Sequence, residues 1–160
     1  MQKSELQSRI QRCVSLHHPS ILRLAYAYVR NTHDAEDIAQ EVFLRYFRAA
    51  PVFGSSEHEK AWLLRVTINH CKNLLKSGYR QKQQPMPEIF GGTSPEDSAL
   101  LDEVLALEEM YRLPIHLHYY EGYSLKEIGE ILGELPGTIG TRLARGREQL
   151  KQSLGGISHG

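Results

Sequence analysis

Residues 124–145 read SLKEIGEILGELPGTIGTRLAR, and this stretch predicts two helices joined by a tight turn. Ser124 and Glu127 have the spacing of a capping box, which starts a helix by pairing backbone N–H groups with side chains at its first turn. The residues Gly133-Glu134-Leu135-Pro136 are typical of a turn. A second helix is expected from Gly137-Thr138 to about Leu154. The stretch therefore predicts a helix-turn-helix.

The second helix has two unlike faces at helical spacing. Apolar and small residues share one face: Ile139, Leu143, Gly146 and Leu150. Hydroxyl and guanidinium groups share the other: Thr138, Thr141, Arg142 and Arg145, with Gln149. Such a face on the second helix of this motif suits base edges and phosphates in a major groove. A helical hairpin with a merely solvated basic face is the alternative.

Upstream of this motif the chain divides at residues 81–97, which contain Pro85, Pro87, Gly91, Gly92 and Pro95 and few apolar residues. This composition predicts a flexible linker. We expect an all-α fold of two small helical domains, residues 10–80 and 98–155. In the second domain, further helices are predicted from the leucines at 100–107 and at about Tyr111–Tyr120.

Three helices are predicted in the first domain. Pro19-Ser20 precedes a helical pattern that begins at Ile21, and Asn31 or Thr32 can cap a second helix that ends near Ala50. The third helix is expected from about Glu59 to Lys76. Its predicted core seam is spaced 3-4-3-4 and comprises Ala61, Leu64, Ile68, Cys71 and Leu75.

The charges are sorted along the sequence, although the net charge is zero. Residues 1–80 contain 12 Lys and Arg against 7 Asp and Glu, and residues 81–160 contain 7 against 12. No carboxylate occurs from Lys60 to Pro87, and basic residues return at Arg142, Arg145 and Arg147. Two basic regions separated by an acidic one indicate contact with a polyanion at two places.

Two further faces stand out in the first domain. The cationic stripe lies on the third helix and consists of Trp62, Arg65, Asn69, Lys72, Asn73, Lys76 and Arg80. An aromatic ring beside cations and amides suits unstacked bases, whereas a buried Trp beside a solvated charged face is the alternative. The second helix carries an acidic stripe of Asp34, Asp37, Glu41, Leu44 and Arg48, which is either a solvated face or a protein contact.

Three motifs in series resemble the extracytoplasmic-function (group IV) sigma factors of bacterial RNA polymerase. They are DAEDIAQEVFL at 34–44, WLLRVTIN at 62–69 with Cys71, and EGYS at 121–124 followed by Glu127-Ile128 and GTIGTRL at 137–143. The resemblance covers about residues 14–80 and 100–154.

The resemblance implies roles for these faces. The docking face, Asp34, Asp37, Gln40, Glu41 and Leu44, would bind the β′ clamp helices of core polymerase. The cationic stripe would open the promoter and capture −10 bases, and the β flap of core polymerase would be a further contact. The −35 element would be read by Ser124, Lys126, Thr138, Thr141, Arg142 and Arg145. The resemblance also implies promoter DNA and an anti-sigma factor as partners. The low cysteine content separately predicts a location in the reducing cytoplasm.

The chain departs from the family pattern in the second domain. Leu107 to Arg112 lacks the family's Pro, Gly140 stands where Lys or Arg is common, and Gly146 replaces a common Ala. Each of these glycines costs about 1 kcal/mol of helix stability relative to Ala, and Gly140 would also forgo a DNA contact. We therefore expect weak or unusual −35 recognition.

Two other interpretations remain open at this point. The chain could be a stand-alone dimeric helix-turn-helix repressor, which would bind a palindromic site by itself. It could also be a non-initiating protein that binds the polymerase or an anti-sigma factor.

Several function classes have no support in the sequence. No phosphate loop, nucleophile elbow or paired-carboxylate site indicates an enzyme, and no cofactor is expected. The histidines and Cys13 and Cys71 lack metal-ligand spacing, so no metal site is expected. No apolar run reaches the roughly 18 residues of a membrane span, no secretory signal is present, and two cysteines make no disulfide framework.

Overall fold

The computed structural model describes residues 3–49, 51–78 and 95–158, with side chains at 3–49, 51–78 and 100–154. The chain divides into two compact units, Met1–Gln84 and Pro85–Gly160. The first unit contains helices α1 (Lys3–Val29), α2 (Thr32–Ala49) and α3 (Ser56–Lys76). The second contains α4 (Pro95–Ala106), α5 (Glu109–Ile115), a π turn (His116–Tyr120), α6 (Leu125–Leu132) and α7 (Pro136–Ser158). The predicted all-α class is confirmed. Among the described helices, none has the length and apolarity needed to cross a membrane.

Helix α1 corrects the expectation that a helix begins after Pro19. The helix starts at Lys3 and continues through Pro19 without a break. Proline cannot donate the backbone bond that would reach Ser15, which costs roughly 3 kcal/mol in a helix interior. Ser15 is exposed, so water can bind its free carbonyl. Burial of Cys13 and His17, upstream of the proline, holds the N-terminal half of α1 on the bundle.

The core of the first unit lies where α1, α2 and α3 pack together. Residues 24–29 of α1 are all buried, and Tyr26, Tyr28 and Tyr46 are among the largest enclosed side chains. The predicted seam of α3 is partly wrong, because Ala61 and Leu75 are only half-buried. The buried residues of α3 are Leu63, Leu64, Thr67, Ile68 and Cys71. The seam is wider than predicted because α3 contacts both α1 and α2.

Two short connections position these helices. Arg30 has a φ of 52°, which turns the chain sharply between α1 and α2. Asn31, rather than Thr32, caps α2, since its Oδ1 accepts from the backbone N–H of Asp34 at 3.0 Å. Ser55 caps α3 by accepting from the N–H of His58, so α3 begins three residues before the predicted Glu59.

The second unit contains the predicted helix-turn-helix. Ser124 and Glu127 form the reciprocal bonds of a capping box at the start of α6. Gly133 ends α6 with a φ of 72°, a left-handed conformation that glycine adopts without steric cost. Pro136 occupies the first position of α7, where a missing backbone N–H is harmless. The apolar face of α7 is buried as predicted.

The remaining elements of this unit differ in detail from the prediction. Helix α4 begins at Pro95, so the last three residues of the segment predicted as linker are helical. Residues 81–94 of that segment lie outside the described residues. The helix predicted at about Tyr111–Tyr120 begins at Glu109 and becomes a π turn after Ile115, directly past Pro114.

Candidate nucleic-acid and protein interfaces

The cationic stripe lies on the side of α3 that faces away from the core. Arg65, Asn69, Asn73 and Lys76 are exposed, and Trp62 and Lys72 are half-buried. These residues project from the side opposite the buried face, since helical spacing at 100° per residue separates the two sets. Arg80, the last member predicted, lies outside the described residues. The structure thus gathers three cations and two amides on one accessible surface.

Trp62 is held in an aromatic cluster at the N-terminal end of this stripe. Its ring meets Tyr46 edge-on at 5.9 Å and Phe53 edge-on at 6.0 Å, between ring centroids. Phe53 in turn stacks on Tyr46. The Trp62 side chain therefore packs in the bundle and keeps an accessible part.

The docking face lies on α2 and is accessible along its length. Asp37, Gln40 and Leu44 are exposed, and Asp34 and Glu41 are half-buried. Leu44, with 47% of its surface exposed, is an apolar side chain surrounded by charge. This pattern of an apolar side chain within a polar rim is typical of protein contact surfaces.

Phe47 belongs with this face and was missed in the sequence. It follows Leu44 by three residues, so the two side chains share one side of α2, and half of its surface is exposed. The sequence signal was its spacing, because Phe47 lies three residues after Leu44 and therefore on the side of α2 that carries the acidic stripe. An aromatic side chain that is not buried in the core is a candidate anchor for a protein partner.

A series of side-chain hydrogen bonds connects the docking face to α3. Glu41 accepts from Arg45 Nε at 3.3 Å, and Arg45 Nη2 donates to Nδ1 of His70 at 3.0 Å. Burial, and then the positive charge of Arg45, lower the pKa of His70 below its usual value. His70 is therefore kept as a neutral acceptor beside Asn69 of the cationic stripe.

The residues of the α7 face differ in their exposure and in the contacts that they make within the protein. Thr141 and Arg145 are exposed, whereas Thr138 and Arg142 are half-buried. The Thr141 hydroxyl donates to the carbonyl of Gly137 at 3.1 Å, and Arg142 Nη2 lies 3.3 Å from Glu134 Oε1. Arg145 is thus the predicted contact with the most freedom.

The two residues predicted to contact DNA at the start of α6 differ in how their side chains are used. Lys126 is exposed and carries its charge into solvent. The Ser124 Oγ accepts from the N–H of Glu127 at 3.1 Å, so its lone pair stabilises the helix start. Its O–H remains a donor on the surface.

Gly140 and Gly146 have packing reasons that the sequence did not reveal. A Cβ at position 140 would lie 3.2 Å from Leu125 Cδ2, so this position faces α6 rather than open solvent. The expectation that Gly140 forgoes a DNA contact stays a prediction, since this distance describes only the first side-chain atom at that position. A Cβ at 146 would lie 2.5 Å from Ile115 Cδ1, so the glycine allows α7 to approach α5 closely.

A polar network lies between α1, α2 and α3. Glu59 Oε1 is 3.0 Å from His17 Nε2, and Glu59 Oε2 accepts from the Tyr46 hydroxyl at 2.8 Å. Arg9 Nε donates to the Tyr46 oxygen at 3.0 Å. Burial raises the pKa of the Cys13 thiol to about 12, so this cysteine is a protonated core residue. The described residues contain no group of three side chains that could hold a metal ion.

Family models match both units of the chain. The model described as sigma-70 region 2 matches residues 13–81, and that described as sigma-70, region 4 matches residues 97–150. The chain is 33% identical to the ECF RNA polymerase sigma factor SigE of Mycolicibacterium smegmatis, over 88% of this chain and 60% of SigE. It is 32% identical to the ECF RNA polymerase sigma factor SigW of Bacillus subtilis, over 88% of this chain and 86% of SigW.

Solved structures share the fold at lower identity. The sigma factor RpoE, in complex with the anti-sigma factor NepR from Bartonella quintana, superimposes with a TM-score of 0.75 at 21% identity. That match covers 90% of this chain and 95% of the RpoE chain. CnrH in complex with the cytosolic domain of CnrY gives a TM-score of 0.72 at 20% identity, covering 94% of this chain and 90% of the matched chain.

Proposed function

The chain belongs to the extracytoplasmic-function sigma factors of RNA polymerase, and from this premise we propose that it directs core polymerase to a small set of bacterial promoters. In this proposal it recognises the −35 and −10 elements and opens the −10 DNA. It performs no chemistry of its own and acts in the cytoplasm, where template and polymerase meet. The observation that carries the proposal is that one chain holds an accessible cationic stripe and a helix-turn-helix, each within a unit that matches its sigma region.

Recruitment is assigned to the docking face of α2. Asp37, Gln40 and Leu44 are exposed there, and Phe47 adds a second apolar anchor on the same side. We assign this surface to the β′ clamp helices, with a further contact of the second unit to the β flap. In such an interface the exposed Leu and Phe side chains would form the desolvated centre, and the charged residues around them would form the polar rim.

Strand opening is assigned to the cationic stripe of α3. Arg65, Lys72 and Lys76 neutralise phosphates, Asn69 and Asn73 offer donors and acceptors to base edges, and the accessible part of Trp62 offers a stacking surface. Stacking on an aromatic ring stabilises an unpaired base by roughly 1–3 kcal/mol, which helps offset the loss of base pairing. Arg80 extends the stripe in sequence.

Recognition of −35 DNA is assigned to α7 and the start of α6. Thr141 and Arg145 are exposed, and Lys126 and the Ser124 O–H can reach phosphates at the groove edge. We expect this recognition to be weak or unusual, because Gly140 supplies no cation where Lys or Arg is common in the family.

Regulation by an anti-sigma factor is part of the proposal. RpoE and CnrH, which share this fold, were solved with NepR and with the cytosolic domain of CnrY. The exposed Leu44 and Phe47 of the docking face would give an inhibitor an apolar contact that excludes the polymerase.

Reconstituted transcription tests the function directly. Purified core polymerase is given a genomic fragment library with and without this protein, and transcript 5′ ends are mapped. New start sites that share −35 and −10 sequences are expected only with the protein. Intact core binding without new starts would contradict initiation and favour a non-initiating polymerase-binding protein. Tight binding of an inverted-repeat duplex by the protein alone, as a dimer, would favour a repressor.

A further inference from the structure

Arg142 differs from the other predicted contacts on α7 because a carboxylate holds its guanidinium. Glu134 lies eight residues earlier, in the turn between α6 and α7, and its Oε1 is 3.3 Å from Arg142 Nη2. The two side chains are 38% and 23% exposed, respectively, so the pair lies at the surface without being fully solvated. Arg145, by contrast, makes no ion pair with a described residue.

The backbone that carries Glu134 is fixed from two directions. Its N–H donates to the carbonyl of Gly129 at 2.9 Å. Its own carbonyl oxygen lies so close to Gly129 that a Cβ there would be 2.5 Å away. Gly133, which precedes it, holds the left-handed conformation that ends α6. The carboxylate therefore extends from a turn that has little freedom to move.

The Arg142 fork keeps most of its donors despite this contact. A guanidinium has five N–H donors, and the ion pair with Glu134 uses one nitrogen. The planar group can still present two parallel donors to the O6 and N7 atoms of a guanine. Holding the side chain in advance reduces the rotamer freedom that binding would otherwise remove.

The charge of Glu134 acts differently on phosphates and on bases. A carboxylate near the DNA surface repels the backbone wherever the protein binds, which weakens contacts that ignore sequence. At the correct base pair, the hydrogen bonds made by the oriented Arg142 side chain offset this loss of binding. We propose that Glu134 is a positioning residue that determines specificity at the base pair that Arg142 contacts. This inference rests on the proposed function and deepens it.

The test compares matched variants within reconstituted holoenzyme. Promoters with a randomised −35 region are selected by transcription with wild type, Glu134→Ala, Glu134→Gln, Arg142→Ala and the control Glu130→Ala. Glu130 is exposed on α6 and makes no ion pair with a described residue, so its replacement removes the same charge without touching Arg142. Binding to non-specific duplex is measured across a salt series for each protein.

Arg142→Ala is expected to lose preference at one or two base positions. Glu134→Ala should lose it at the same positions, with discrimination falling about tenfold, while its non-specific binding tightens. Glu134→Gln, which keeps a neutral acceptor, should retain part of the preference.

Glu134→Ala that behaves like Glu130→Ala, with tighter binding and unchanged base preference, would overturn the inference. So would an Arg142→Ala variant that keeps every preference of the wild type, although the proposed function would then stand. A wild-type holoenzyme that selects no −35 sequence would instead overturn the proposed function, and this inference with it.

Discussion

Glu59 is the residue through which three helices of the first unit are joined. Its two carboxylate oxygens contact His17 of α1 and Tyr46 of α2, while its backbone belongs to α3. Tyr46 also meets the ring of Trp62. A single acidic side chain therefore helps set the position of the aromatic cluster beside the cationic stripe. Buried polar groups that are satisfied in this way favour one arrangement of the helices over others.

His17 is expected to make the first unit less stable as the pH falls. Burial lowers its pKa below the ordinary 6.5, against the attraction of Glu59 and with help from Lys60. Below about pH 6.5 the unfolded chain gains a proton that the folded chain resists, so unfolding is favoured as the pH drops toward the folded pKa. His70, whose pKa is lowered as well, adds an effect of the same sign.

The variant His17→Gln should reduce this pH dependence. Between pH 7.5 and 5.5 its free energy of unfolding should fall by less than that of the wild type, because the lowered pKa of His17 no longer contributes. Urea unfolding followed by fluorescence is suitable because Trp62, the single Trp of the chain, lies in the first unit. His58→Gln, at an exposed histidine, is the control. Equal pH dependence in wild type and His17→Gln would contradict the assignment.

At the scale of elements, the helix-turn-helix depends on how closely the turn approaches α6. The backbone carbonyl of Glu134 lies against Gly129, where no side chain fits. By contrast, nothing lies within 4 Å of a Cβ built at Gly137, in the first turn of α7. Two glycines of one motif thus have opposite tolerance for a methyl group.

Gly129→Ala is expected to destabilise the second unit by about 2 kcal/mol, because the clash with backbone exceeds the gain in helix propensity. Gly137→Ala should be neutral or stabilising by up to about 1 kcal/mol. Thermal unfolding by circular dichroism measures both variants. The Trp62 fluorescence transition should stay unchanged, since it reports the first unit. A Gly129→Ala protein that melts at or above Gly137→Ala would disprove this account of the turn.

The docking face of α2 is expected to bind core polymerase through a few anchor residues. Asp37→Arg and Phe47→Ala should each weaken binding to core polymerase by about tenfold, the effect of losing an anchor of about 1.4 kcal/mol. The fold should tolerate both changes, because the His33–Asp37 pair at 3.6 Å is highly exposed and contributes little. Titration of labelled protein with core enzyme measures the affinity. Leu16→Ala, at an exposed apolar residue of α1, is the control, and unaltered affinity of Asp37→Arg would refute the docking assignment.

At the scale of the whole molecule, the proposal distributes recruitment and opening over different surfaces. In this proposal the docking face and the α7 face would bring the polymerase to a promoter, and the cationic stripe would act when the strands separate. The excess of positive charge in residues 1–80 and of negative charge in residues 81–160 agrees with such a division.

Arg65→Ala and Asn69→Ala should therefore impair opening more than recruitment. Closed-complex formation, measured by gel shift at low temperature, should remain near the wild-type level. Permanganate reactivity of −10 thymines should fall, because each variant removes a group that stabilises the unpaired strand. Arg12→Ala removes an exposed cation of α1 and is the charge-matched control for Arg65→Ala. Wild-type permanganate footprints in both stripe variants would exclude this role for the stripe.

The sequence by itself determined the features that local physics controls. The periodicity of α3 placed its exposed cations and amides correctly, and the capping box and Gly133 located the helix-turn-helix, because each depends on residues within one or two turns. The domain boundaries and the assigned roles of the site residues remain predictions. Three motifs in order were also sufficient to predict the family.

Only the tertiary structure decided what depends on neighbours that are distant in sequence. The sequence pattern predicts a helix that begins after Pro19, whereas packing of Cys13 and His17 places residues before the proline in the same helix. From the sequence, Gly146 is only a cost to helix stability, whereas in the structure it makes room for Ile115. Glu134 has no role in the sequence pattern, whereas in the structure it pairs with Arg142. The physical reason is that burial and ion pairing depend on distances in space, which a one-dimensional pattern does not contain.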